Sequence, residues 1–255
     1  PPILSIIENK VLDVHKIHHI LATGINTKDL IEEIKKFIIT EPNQDNVFFD
    51  SLYSKHAISN RYDNKEIIPL LAHTKQIVRP INYSDDCPGQ GWQIFSVNDK
   101  KILVLQVLGR VFMKKKFLDP FPFLEDIFSQ YKLGLNVDCI IVDIHAEATS
   151  EKMAVGHFCD GKASLVIGTH THVPTADTKI LSKGTAYQTD LGMCGDYDSV
   201  IGMNKENSLK KFFKADDAKN HFPADGLATI SGLIVTVDKK TGLAKKVKQL
   251  LIENN

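Results

Sequence analysis

The sequence predicts a layered α/β or α+β sandwich with mixed sheets. Strand-like and helix-like segments alternate along most of the chain. Two apolar runs of strand length, 137–144 and 164–167, are separated by a helix-like segment, as in a βα unit. Asn98-Asp99 joins two further strand-like runs as a hairpin turn would.

The elements follow in order. Residues 30–37 (LIEEIKKF) place Leu30, Ile31, Ile34 and Phe37 at a helical period, with Thr27 as N-cap. Residues 77–80 form a short strand halted by proline, and 93–97 and 101–108 are the arms of the hairpin. A helix opened by proline spans 121–131 and a strand 137–144. A helix at 151–158, a strand at 165–167 and a strand at 185–189 come next. The last two strands begin at Leu227 and after the turn Asp238-Lys239-Lys240-Thr241-Gly242. No internal repeat or low-complexity linker interrupts this order, so residues 1–255 are read as one domain.

Composition narrows the function classes. Lys+Arg and Asp+Glu balance at 31 each, so no overall field favours stable binding to nucleic acid or to a membrane. Lys114-Lys115-Lys116 is the one tight basic run and reads as a solvated loop. The cysteines (Cys87, Cys139, Cys159, Cys194) have no C-x-x-C spacing, which argues against a zinc ribbon or a disulfide framework. No apolar run approaches the roughly 18 residues of a membrane span, and no signal peptide is evident. The cytoplasm is the default location. The chain begins Pro1-Pro2 rather than Met, so this numbering need not start at the natural N-terminus. Oligomeric state is open.

The chemistry lies in the histidines. The run 164–167 (SLVI) ends in 168–172 (GTHTH), placing His170 and His172 at the C-terminal end of a buried strand. Spaced by one residue on an extended backbone, both imidazoles point to one side. The run 137–144 likewise ends in His145, with Glu147 two residues later. Ligands of open α/β sheets bind outside the carboxyl ends of strands, so His145, His170 and His172 form a candidate metal cluster. Asp143 and Glu147 are read as partners of a ligating histidine rather than as ligands, because such an imidazole donates its other N–H to a carboxylate, carbonyl or water. His15, His18 and His19 would share one helix face, and solvated or loop histidines are the favoured reading there.

Residues 144–152 (IHAEATSEK), 168–173 (GTHTHV), 190–195 (DLGMCG) and 197–202 (YDSVIG) together resemble the YmdB-type branch of the calcineurin-like metallophosphoesterases. Further matches are 63–67 (DNKEI), 79–83 (RPINY), 88–91 (PGQG) and 108–113 (LGRVFM), so the resemblance covers about residues 62–255. It implies a four-layer α/β/β/α sandwich with a dinuclear centre of two divalent transition metal ions, for which Fe, Mn and Zn are all suitable. It also implies a hydrolase, a phosphodiesterase or phosphatase acting on a small phosphodiester such as a cyclic nucleotide through a metal-activated hydroxide. His145, His170 and His172 match the family's histidine ligands.

The N-terminal part departs from the family. Its remaining ligands come from a strand ending in Gly-Asp, a Gly-Glu-Asn motif and a Gly-Asn-His motif. No Gly-Asp strand end is present, and Glu8-Asn9 resembles the second motif with Ile7 in place of glycine. Ile58-Ser59-Asn60 stands where the third belongs, which puts Asn60 at the position of the family's general-acid histidine. An amide cannot protonate a leaving alkoxide, and a missing acid typically costs roughly 10²–10⁴-fold in rate. His56, a few residues earlier, is a candidate substitute. Gly192 and Cys194, in a glycine-rich loop, and Arg110 are candidate substrate contacts; a packed pocket wall and a surface salt bridge are the competing readings. The departures leave two alternatives open. The chain is a degenerate member that binds metal or nucleotide with little turnover and acts through a partner, or residues 1–61 are not the native N-terminal sequence.

Overall fold

The computed structural model describes residues 78–83, 88–97, 99–113 and 116–253. Expectations for the helix at 30–37, the histidines at 15, 18 and 19, and the site residues Glu8, Asn9, His56 and Asn60 lie outside them.

A six-stranded sheet carries the site, in the order β1-β2-β3-β4-β6-β5. Its members are β1 (Trp92–Val97), β2 (Lys100–Leu108), β3 (Cys139–His145), β4 (Leu165–Thr169), β5 (Lys179–Ile180) and β6 (Ala186–Gln188). Strands β2, β3, β4 and β6 run parallel, and β1 and β5 are antiparallel edges. The predicted hairpin is present: β1 pairs with β2 through a turn in which Asp99 takes φ 62, a left-handed geometry that aspartate tolerates. The short strand expected at 77–80 is reduced to isolated bridges, Val78 to Gln90 and Pro80 to Gln106, since proline offers the ladder no donor.

Two helices cover one face. Helix α1 (Pro120–Gln130) opens with the carboxylate of Asp119 accepting from Phe121 N at 3.1 Å and proline in the first turn, where its missing N–H costs nothing. Helix α2 (Thr149–Cys159) joins β3 to β4. Leu124, Ile127 and Phe128 of α1, with Val155 and Cys159 of α2, pack on Leu103, Leu105, Val107, Ile140, Val142 and Ile144. The strand residues between them, Val104, Ile141, Leu165 and Ile167, face the other way. There they meet Ala244, Leu233, Val235 and Val247 of the second sheet, so the central strands are apolar on both faces. Full burial of such side chains contributes roughly 1.5–3 kcal/mol each.

The second sheet is antiparallel, β7 (Gly195–Asp196), β8 (Ala228–Val237) and β9 (Ala244–Glu253), in that order. The described residues thus stack as helices, mixed sheet, antiparallel sheet. Helix α3 (Lys205–Phe212), β5 and β7 were not foreseen in the sequence. Two-residue strands carry no periodic signal, and α3 is a short helix whose start is set by the Asn204 side chain accepting from Asn207 N at 2.9 Å.

Candidate metal centre

The parallel register brings the site together. Ile144 pairs with Gly168 and His145 with Thr169, so β3 and β4 end side by side. His145 is 4% exposed, on the last residue of β3. His170 follows the last residue of β4, and the two ring nitrogens His145 Nε2 and His170 Nδ1 lie 3.2 Å apart.

The bend after β4 differs from the extended run expected for His170 and His172. His170 has φ 131 and His172 φ 67, so the same-side argument for an alternating strand does not apply here. Backbone in such regions costs on the order of 1–3 kcal/mol per residue and persists where the surroundings over-determine it. The imidazole of His172 is turned to Ile201, donating from Nδ1 to its carbonyl oxygen at 2.8 Å. A carbonyl only accepts, so Nδ1 carries the proton and Nε2 keeps its lone pair. Burial holds the pKa of His172 below the ordinary value, which favours the neutral ring.

A buried relay orients His145. Gln106 Nε2 donates to Asp143 Oδ2 at 2.6 Å, and Thr169 Oγ1 donates to Asp143 Oδ1 at 3.1 Å. The same hydroxyl lies 3.0 Å from His145 Nδ1. With the threonine proton given to Asp143, the hydroxyl oxygen accepts from Nδ1–H, which leaves Nε2 as a lone pair facing His170. Burial first, then His170, pushes the His145 pKa down to about 3. Burial also pushes Asp143 up to about 6, against the pull of the Gln106 and Thr169 hydrogen bonds. Asp143 therefore reaches His145 only through Thr169. Glu147 is a direct partner: its Oε2 accepts from His170 Nε2 at 2.5 Å.

The His145–His170 pair fits a metal. Two nitrogens at roughly 2.0–2.1 Å from one tetrahedral ion stand on the order of 3.4 Å apart, close to the observed spacing. Among the described residues no group of three His, Cys, Asp or Glu closes into a metal cage, because His172 is held toward Ile201. Further donors must come from elsewhere in the chain or from solvent.

The other candidates are placed differently. Gly192 takes φ 78, and a Cβ there would stand 2.6 Å from Pro174 Cδ and 2.7 Å from the Tyr197 hydroxyl, so its loop is packed against protein. The Cys194 thiol is buried and donates to Ser231 O at 3.6 Å. Arg110 is exposed, with its guanidinium 3.9 Å from Asp119, while its backbone N–H donates to Glu151 at 2.8 Å. Sequence reasoning missed Gln106 and Thr169. A polar residue inside an apolar strand was the available signal for Gln106.

The family model described as YmdB-like protein matches residues 58–250. The chain belongs to the YmdB-like family. It is 39% identical over 197 residues to the 2',3'-cyclic-nucleotide 2'-phosphodiesterase of Bacillus subtilis (strain 168), covering 77% of this chain and 73% of that protein. Among solved YmdB-like relatives, a hypothetical protein from Thermus thermophilus is 38% identical with a TM-score of 0.68, covering 79% of this chain and 75% of that one. A novel phosphatase from Mycoplasma pneumoniae is 34% identical with a TM-score of 0.64, covering 75% and 69%. In the YmdB-like chain, the histidine pair and its relay lie within the matched residues.

Proposed function

We propose that this chain is a metal-dependent phosphodiesterase acting on a small phosphodiester of the cyclic-nucleotide class, with His145, His170 and His172 on the metal side of its site. The observation that carries the reading is the His145–His170 pair, two ring nitrogens 3.2 Å apart at the carboxyl ends of adjacent parallel strands. The cyclic-nucleotide phosphodiesterase named among its relatives supports the substrate class. Bound divalent transition metals, two by this reading and drawn from Fe, Mn and Zn, supply Lewis acidity and lower the pKa of water.

The chain's own residues prepare that site. His145 stays neutral through its burial and presents Nε2 because Thr169 takes Nδ1. Glu147 orients His170. Glu8 and Asn9 complete the donor set with oxygens. His56 stands in as the leaving-group acid at the degraded motif, since Asn60 has no acidic proton to give. Gly192, Cys194 and Arg110 belong to the substrate side: the loop backbone at 192–194 as wall, and the Arg110 guanidinium as a cation at the rim. The helix, mixed-sheet, antiparallel-sheet stacking supports a four-layer α/β/β/α sandwich, a single domain over 1–255.

The test is metal content by elemental analysis beside hydrolysis of bis-p-nitrophenyl phosphate and of a 2',3'-cyclic nucleotide with added Mn²⁺. Near two metals per chain with metal-dependent turnover is expected. Tight metal binding without turnover of either substrate would overturn the enzyme reading in favour of the degenerate binding protein.

A further inference from the structure

Helix α2 carries a lysine where an apolar residue is expected. Lys152 is 1% exposed and Asp190, after β6, is fully buried at 0%. Lys152 Nζ donates to Asp190 Oδ2 at 2.8 Å. Replacing a buried ion pair with apolar groups is often neutral or stabilising, so this one needs a reason beyond stability.

The carboxylate supplies it. Asp190 Oδ2 also accepts from Thr171 N at 2.9 Å, and Asp190 Oδ1 accepts from Gly192 N at 2.9 Å. Thr171 is the residue between His170 and His172, both at positive φ. Gly192 is the turn residue of the neighbouring loop. One carboxylate therefore ties the histidine bend to the glycine loop. Asp190 is itself held in place: its backbone N–H donates to Thr175 Oγ1 at 2.9 Å and its carbonyl oxygen accepts from Thr175 N at 3.0 Å. The lysine stem runs beside Gly168, where a Cβ would stand 2.9 Å from Lys152 Cδ.

We propose that Lys152 and Asp190 are positioning residues, a buried ion pair whose carboxylate clamps the His170–His172 bend to the loop at Gly192. Lysine keeps Asp190 charged, and the charge is what lets one side chain accept from Lys152 and two backbone amides together. The clamp explains how two non-glycine residues hold positive φ without a regular element around them. Its activity readout rests on the phosphodiesterase reading, whereas its structural readout does not.

The experiment compares Asp190→Asn and the double variant Lys152→Met/Asp190→Asn with the wild-type full chain. An asparagine offers one acceptor oxygen, so one of the two backbone amides loses its partner. Hydrogen exchange at Thr171 and Gly192, read with peptide resolution, is expected to accelerate while the core strands keep their protection. In Mn²⁺-supported hydrolysis, kcat is expected to fall roughly 10²-fold with KM nearly unchanged. The visible spectrum of the Co²⁺-loaded protein is expected to shift as the histidine geometry relaxes. A folded double variant with unchanged exchange at both amides, or with wild-type kcat and cobalt spectrum, overturns the proposal. Loss of the fold in both variants overturns it as well, by assigning the pair to global stability. A wild-type chain without hydrolysis would sink the phosphodiesterase reading, and exchange at the two amides would still decide the clamp.

Discussion

Gly168→Ala isolates the close approach of β4 to the chain that follows β6. A Cβ built there would stand 1.7 Å from the carbonyl oxygen of Thr189, 2.7 Å from its carbonyl carbon and 2.9 Å from Lys152 Cδ. Real Cβ atoms essentially never come within 3.0 Å of another heavy atom, so the oxygen must retreat by about 1.3 Å. It cannot do so alone, because Leu191 N donates to Gly168 O at 3.0 Å and Asp190 is fixed to Thr175. Overpacking typically costs ~1–3 kcal/mol, and an obstacle made of backbone puts this site at ~3 kcal/mol or above. Gly232 in β8 is the matched control, since a Cβ there meets nothing within 4 Å. Relieving the unfolded chain of glycine's freedom should make Gly232→Ala neutral to stabilising by ~0.5–1 kcal/mol. Urea unfolding with a shared m-value measures both. Gly168→Ala within ~0.5 kcal/mol of wild type, or Gly232→Ala as the more damaging of the two, would refute the steric reasoning.

Three further outcomes are expected. His145→Ala and His170→Ala should each lower metal content, and unchanged content in both by elemental analysis would remove the histidine pair from the metal site. Glu151 accepts from Arg110 N at 2.8 Å and Val111 N at 3.2 Å; Glu151→Gln puts an amide donor against those N–H groups and should cost ~1–2 kcal/mol in urea unfolding, and no change in midpoint would deny that the carboxylate holds the loop after β2. His145 titrates near 3 when folded against 6.5 for a free imidazole, so the unfolded chain gains a proton that the native state refuses. Its contribution is whole above pH 6.5 and is lost as pH falls toward 3. Asp143, held near 6 by burial, acts with the opposite sign: it adds stability as pH falls from 6 to 4 and partly offsets the loss. The stability advantage of wild type over His145→Gln should therefore shrink between pH 7 and pH 4, and a gap that stays constant over that range would contradict the buried neutral imidazole.

Much of the strand and helix order was readable because the elements are long and their signals strong. The hairpin at Asn98-Asp99, the apolar runs ending at His145 and Thr169, and the proline that opens α1 all mark themselves locally. The ends of β3 and β4 were likewise legible as histidine carriers. The bend at 170–172 was not, because its backbone is set by Asp190, 19 residues away from Thr171. The relay from Gln106 to His145 crosses three strands, and no spacing rule in the sequence joins Gln106 to Asp143, 37 residues later. Lys152 looks in sequence like any polar helix residue; its burial follows only from the packing of α2 over Gly168 and Asp190.

The sequence by itself determined the family, the alternation of elements and the candidate metal-side histidines, since apolar periodicity and contiguous motifs are local properties of the chain. The tertiary structure decided which nitrogen each imidazole presents, which carboxylates stay charged and what holds the strained bend. Those depend on hydrogen bonds and burial between residues far apart in sequence, and such partners exist only once the strands lie side by side.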